Sequence, residues 1–230
     1  MLPVAILAGG LATRLRPLTE TIPKALVEIC GEPFLGHQLR LLSRAGITHA
    51  VLCLGYRADQ IREFAGDGRA FGLHLDYSHD GPALLGTAGA LKKALPFLGD
   101  SFFVLYGDSY LPCDYAAVEQ AFRESRKSGL MTIYRNESRW DWSNVEFSEG
   151  RIRAYDKANR TPAMNYIDYG LGVFRRDPFD ALPENLPADL AALYQDLLRR
   201  GDLACHEVNN RFYEIGSPDG IRELEEFLSR

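Results

Sequence analysis

Cysteine is sparse, and its placement excludes more than its number does. Cys30, Cys53, Cys113 and Cys205 stand far apart and form no C-x-x-C pair. Zinc knuckles and dense disulfide frameworks need closely spaced thiols, so these four read as reduced, mostly buried side chains of a cytoplasmic protein. Lysine is scarce as well: Lys24, Lys92, Lys93, Lys127 and Lys157 are the only five, and no Lys/Arg run exceeds two residues. With 31 acidic against 26 basic residues the net charge is −5, which argues against a nucleic-acid or anionic-membrane partner. Any bound anion must therefore be met locally. No run of 18 apolar residues occurs, and MLPVAILAGG lacks a basic n-region, so neither membrane spanning nor secretion is expected. The five histidines (His37, His49, His74, His79, His206) show no metal-ligand spacing along the chain and no Ser or Cys nucleophile pattern nearby, and none is assigned a catalytic role. Neither G-K-[ST] nor G-x-G-x-x-G is present, which removes the main support for a Walker-type kinase or a dinucleotide-binding enzyme.

What is present is rhythm. Short apolar runs alternate with helical patterns: Val4 to Leu7, Pro33 to Arg44, Ala50 to Leu54, Ala58 to Phe64, Leu73 to Tyr77, Thr87 to Leu95 and Phe102 to Tyr106. A parallel sheet with crossover helices requires that alternation. Asp114 ahead of a run to Lys127, and Ser217-Pro218 ahead of Asp219 to Leu228, mark further helix starts. Met131 to Arg135, Asn144 to Phe147, Arg151 to Tyr155, Asn165 to Phe174 and Leu203 to Val208 read as strands, and a helix is expected from residue 186 or 188 to Arg200. No linker or repeat divides the chain, so we read one α/β domain over 1–230, with a nucleotide-binding half at about 1–112 and a second half at about 113–230.

Three segments carry chemistry. Leu7 to Thr19 (LAGGLATRLRPLT) follows the first strand: Gly9 and Gly10 would let backbone N–H groups approach a phosphate, and Thr13, Arg14 and Arg16 follow. Taken as glycines alone, the pair is equally a tight turn. Lys24, fixed behind Pro23, would be held near that loop rather than sweep through solvent. Phe102 to Leu111 (FFVLYGDSYL) ends an apolar strand at Gly107-Asp108, placing a carboxylate where open α/β sheets bind ligands.

The glycine loop with Pro23-Lys24-Ala25 resembles the signature of the sugar-1-phosphate nucleotidyltransferases, the NDP-sugar pyrophosphorylases, and further segments in matching order cover nearly the whole chain. The resemblance implies a Rossmann-like, three-layer α/β/α nucleotidyltransferase fold with a mixed, mainly parallel central sheet. It implies nucleotide contacts from Leu7, Ala8, Gly9, Gly10, Thr13, Arg14, Lys24, Gly86, Thr87 and Asp108, with Leu84 to Leu95 (LLGTAGALKKAL) as the base-recognition segment. In that segment Gly86 and Gly89 would permit close approach of the base, and Thr87 could cap the following helix. Base choice would rest on this segment together with His79 and Asp80. The resemblance further maps a sugar-phosphate lysine onto Lys157, with Asp156 before it, and a sugar pocket onto Asn144, Glu146, Tyr169 and Gly170. Cross-strand packing is the alternative for each pocket residue. Mg²⁺ would sit on Asp108 and Glu214, although the family usually has aspartate at the latter position; Ala12 likewise stands where most relatives carry glycine.

The expected reaction joins an NTP to a sugar 1-phosphate, giving an NDP-sugar and pyrophosphate, for cell-surface glycan precursors. Arg14, Lys24, Asp108 and Lys157 are the expected catalytic residues. Short relatives of this kind include heptose- and mannose-1-phosphate guanylyltransferases and N-acetylmuramate-1-phosphate uridylyltransferases. A cytidylyltransferase for phosphocholine or an alditol phosphate, and a non-catalytic nucleotide- or NDP-sugar-binding module, are the rival readings. Either a monomer or a homodimer is compatible with the sequence.

Overall fold

In a computed structural model, residues 1–10, 15 and 17–230 are described. The chain runs β1 (Val4–Leu7), β2 (Glu28–Ile29), β3 (Glu32–Pro33), α1 (Phe34–Arg44), β4 (His49–Leu54), α2 (Ala58–Ala65), β5 (His74–His79), α3 (Gly86–Ala94), β6 (Ser101–Tyr106) and β7 (Ser109–Tyr110). It continues through α4 (Tyr115–Ser125), β8 (Gly129–Arg135), β9 (Val145–Ser148), β10 (Arg151–Tyr155), β11 (Tyr166–Arg175), α5 (Asp177–Asp180), α6 (Leu190–Arg199), β12 (Leu203–Val208), β13 (Tyr213–Glu214) and α7 (Pro218–Leu228).

A nine-stranded sheet runs through both halves in the order β10-β9-β11-β6-β1-β4-β5, with β8 joining β11 and β12 joining β8. Strands β6, β1, β4 and β5 are parallel, whereas β11 lies antiparallel to both β6 and β8. Alternation along each strand divides the apolar residues between two faces. One face packs Leu35, Leu39 and Leu42 of α1, Ile61 of α2 and Tyr115, Val118 and Phe122 of α4. The other packs Ala88, Leu91 and Ala94 of α3, Phe179 of α5 and Leu190, Leu193, Tyr194 and Leu197 of α6. Helices on both faces of a mixed, mostly parallel sheet make a Rossmann-like three-layer α/β/α fold. No helix among the described residues is long and apolar enough to cross a membrane.

Caps at the expected starts follow their residue types. Asp114 accepts from the Ala117 N–H, and Ser217 from the Gly220 N–H. The helix expected from residue 186 or 188 begins at Leu190 instead, because the preceding segment is bonded to the start of α3: Ala188 N–H donates to the Leu85 carbonyl, and the Ala188 carbonyl accepts from Ala88. The picture of buried thiols is corrected: Cys113 and Cys205 are half-buried, and Cys30 departs furthest. It is exposed, whereas Cys53 is buried and burial pushes its thiol up to about 12.

Candidate active site

Parallel strands leave their carboxyl ends open above the sheet, and here those ends surround a cleft of about 400 Å³. Leu7 from β1, Cys53 from β4, Asp80 after β5 and Tyr106 from β6 line it, together with Ala8, Gly9, Gly10, Lys24, Gly86, Thr87 and Asp108. The described residues named for nucleotide contact therefore share one cavity, and Asp80 joins them, whereas Gly89 and His79, expected to serve the base, do not line it. Ala12, Thr13 and Arg14 lie outside the described residues.

The glycines divide into two kinds. A Cβ on Gly9 would come 3.0 Å from the Gly55 nitrogen, so Gly9 is needed for packing of the chain against itself, while a Cβ on Gly10 would meet nothing within 4 Å among the described residues. Gly86 has φ +67, and a Cβ there would lie 2.7 Å from the Ala188 carbonyl oxygen. The close approach expected of the Gly86–Gly89 segment is thus partly taken by this chain's own backbone, whose Ala188 carbonyl accepts from the Ala88 and Gly89 N–H groups. Thr87 also departs from expectation. Its hydroxyl leaves its own helix uncapped, accepting the Leu190 N–H at 2.7 Å and donating to Asp189 at 3.0 Å, at the start of α6.

Lys24 and Asp108 meet at the cleft floor, Nζ to Oδ2 at 2.5 Å. Their positions follow from local structure: Pro23 holds an extended φ/ψ before the short helical turn Lys24–Leu26, and Asp108 tops the turn between β6 and β7. Gln38 of α1, fully buried, fixes that turn by donating to the carbonyls of Tyr106 at 3.0 Å and Ser109 at 2.8 Å. The β7–β13 ladder then brings Glu214 alongside, pairing it with Ser109, while the Ile215 N–H bonds the Asp108 carbonyl at 3.0 Å. Glu214 is exposed as a residue, yet neighbouring protein strips water from its carboxyl. That desolvation, then the charges of Asp108 and Asp141, push it up to about 7 against the pull of Lys24 and Lys157.

The second cluster joins residues at and after the end of β10 to β11, although β9 lies between those strands in the sheet. Lys157 Nζ lies 3.6 Å from Asp168 and 5.4 Å and 5.9 Å from the ring centres of Tyr106 and Tyr155. Burial pulls its ammonium down, but Asp168, with Tyr106 beside it, outweighs this and holds it above its ordinary value. Asp168 is nearly sealed from water, 4% exposed, and accepts from the Tyr155 hydroxyl at 3.2 Å and the Gly170 N–H at 3.1 Å. Asn144 accepts the Asp168 N–H at 2.9 Å, so this expected pocket residue buttresses the cluster. Glu146 is half-buried on β9 and makes no ion pair among the described residues.

Tyr169 is corrected. It is 1% exposed and packs edge-on against Phe212 in the core, with its hydroxyl buried beside Cys113. The signal was available: Ile167, Tyr169, Leu171 and Val173 alternate onto one apolar face, leaving Asp168 and Gly170 on the other. Sequence reasoning also missed Asp168 and the exposed Trp140 and Trp142, whose loop carries the Asp141 charge felt at Glu214.

Residues 4–230 match the family described as Nucleotidyl transferase. Mannose-1-phosphate guanyltransferase beta-B of Xenopus laevis is 30% identical over 219 residues, 93% of this chain and 61% of that protein. The chain thus spans 61% of the length of that relative. N-acetylmuramate alpha-1-phosphate uridylyltransferase of Neisseria meningitidis is 28% identical over 224 residues, 96% of this chain and 95% of the other. Among solved structures, HddC from Yersinia pseudotuberculosis, complexed with GMP-PN, shares the fold with a TM-score of 0.83 at 23% identity, over 99% of this chain and 100% of that one. With the match running from the first strand to the last residue, the chain belongs to the nucleotidyl transferase family.

Proposed function

We propose that the chain is a sugar-1-phosphate nucleotidyltransferase, a single domain in which residues 1–112 hold the NTP and residues 113–230 the sugar phosphate. The observation that carries this reading is the Lys24–Asp108 pair on the floor of a glycine-walled cleft, with a second cation, Lys157, reaching Tyr106 on its wall. A phosphate monoester is already an anion at pH 7 and needs no general base. Its oxygen attacks the α-phosphorus in line, the bond to the bridging oxygen breaks, and pyrophosphate leaves with that electron pair. The protein's task is to bring two polyanions together and to neutralise the charge that develops.

Lys24 serves that purpose by turning from Asp108 toward the triphosphate. Lys157 holds the incoming phosphate, exchanging part of its pairing with Asp168 for it, and Arg14 adds charge from the glycine loop. Gly10 leaves room for the phosphates, Leu7, Ala8 and Gly9 form the wall beneath them, and Gly86 and Thr87 border the nucleobase. Asn144, Glu146 and Gly170 border the sugar. Asp108 and Glu214 offer only oxygen donors, and desolvation followed by the Asp108 charge raises Glu214, so the donor set fits a hard cation such as Mg²⁺. When bound, that ion would screen the phosphate charge.

The test is pyrophosphate release from ATP, CTP, GTP, UTP and dTTP against hexose, heptose and amino-sugar 1-phosphates, phosphocholine and inositol phosphate. Release with a sugar 1-phosphate is the expected outcome. Release with phosphocholine or inositol phosphate alone would replace the acceptor class, and nucleotide binding without release would replace the enzyme with a sensor.

A further inference from the structure

The ends of β4 and β5 that point away from the cleft carry a group of side chains the reading above does not use. Parallel register places His49 beside His74, and Asp76 follows two residues along β5, so all three share one face of the sheet. Both imidazoles converge on one carboxylate oxygen: Asp76 Oδ2 is 2.9 Å from Nε2 of His49 and 3.5 Å from Nε2 of His74. The ring centres are 5.3 Å apart, and one ligand atom from each residue lies within 4.8 Å of the other two. Spacing along the chain conceals this group, because the two histidines stand 25 positions apart and the strand register unites them.

We propose that His49, His74 and Asp76 bind a borderline divalent cation of the Zn²⁺ class, at a site separate from the cleft. Zinc bonds of about 2.0–2.1 Å to nitrogen and oxygen put tetrahedral ligand atoms roughly 3.4 Å apart, a spacing the two contacts already bracket. Among the described residues Asp76 has no lysine or arginine within ion-pair distance, and its carboxylate faces the two imidazoles instead. Two nitrogen lone pairs beside a carboxylate form a donor set for a borderline ion. Mg²⁺, which prefers oxygen, is drawn to the cleft instead. His74 is 67% exposed, which gives the ion an entry path and leaves water to complete its shell. Occupancy would cross-tie β5, the edge of the sheet, to β4, about 13 Å along that strand from the cleft wall at Cys53.

The experiment is equilibrium dialysis of the chelator-treated full chain against Zn²⁺ in excess Mg²⁺, which occupies the cleft carboxylates. Co²⁺ absorption spectra and melting curves supply independent readouts. One Zn²⁺ per chain is expected, with a rise in Tm. His74→Ala and His49→Ala should each weaken binding at least tenfold, since losing a ligand costs no less than losing a partner behind one. Asp108→Asn should leave it intact. Because His74 is exposed, His74→Ala should melt like the parent in chelator. Equal Zn²⁺ binding by the parent and His74→Ala would overturn the proposal, as would loss of the bound ion in Asp108→Asn.

Discussion

Along the ends of β1, β4 and β6 the cleft wall is mostly main chain, whereas around β9, β10 and β11 the polar groups are side chains bonded to one another. The first wall owes its shape to backbones in contact: Gly9 against Gly55, and Gly107, where a Cβ would sit 2.7 Å from the Leu7 carbonyl. The second owes its shape to Asp168, which gathers Lys157, Tyr155, Gly170 and, through its N–H, Asn144. A ligand at the first wall meets a surface set by covalent geometry. Each wall holds an ion pair that a ligand must loosen, Lys24–Asp108 at the first and Lys157–Asp168 at the second, but at the second the surrounding polar contacts are side chains as well. Substitutions should therefore act differently on the two sides.

The largest effect is expected at the Lys24–Asp108 pair of the first wall. Lys24→Ala strips the cation from Asp108 and should lower pyrophosphate release by about 10²–10³-fold, the usual scale for losing a group that stabilises transition-state charge. A loss under tenfold would mean that the backbone wall suffices. Gly86→Ala tests that wall directly. With φ +67 and Ala188 at 2.7 Å, the added methyl should cost about 1–3 kcal/mol in a denaturant titration. An unchanged midpoint would show a wall that gives way.

At the second wall the expected effect is a matter of which substrate suffers. Lys157→Ala should raise the KM for the sugar phosphate about tenfold with little change for the NTP, the pattern of lost substrate binding. Equal rises would dissolve the division between the halves. The seam between them should titrate. Glu119 of α4 accepts the Leu2 N–H at 2.8 Å and pairs with Arg123 at 2.7 Å, and these contacts outweigh its desolvation to hold its pKa below the ordinary value. A lowered folded pKa gives stability that is present above the unfolded value and lost as pH falls through the folded one. Glu119→Gln should thus cost about 1 kcal/mol at pH 7 and converge with the parent in acid. The smallest effect is expected from Tyr169→Phe. Its hydroxyl is buried with only the weakly bonding Cys113 thiol beside it among the described residues, so stability should move by under about 0.5 kcal/mol and the acceptor KM should stay put.

Periodicity made most of the sheet legible. Val4–Leu7, Arg151–Tyr155 and Leu203–Val208 occur at the expected residues because an apolar face of period two or a bounded apolar run leaves little choice. The two-residue ladders β2–β3 and β7–β13 are too short to show a pattern, although β7–β13 sets Glu214 beside Asp108. Glycines and lone charges at strand exits were legible as a site because their residue types are unusual there. The Lys157–Asp168 pair was not, since it depends on where β10 and β11 lie relative to one another. Thr87 shows the limit most clearly: its sequence neighbours point to its own helix, while its hydrogen bonds serve another far along the chain.

Helix α6 touches both walls. Thr87, on the nucleotide side, takes the first N–H of the helix, and Gln195, further along, donates to the Tyr155 carbonyl at 3.1 Å, two residues before Lys157. Such a rod makes the two substrates partners in one thermodynamic cycle. If a nucleotide shifts the start of α3 and the sugar phosphate feels it, the sugar phosphate must alter nucleotide affinity by the same factor. The order in which substrates arrive and products depart would then be written in a helix that need not touch either of them.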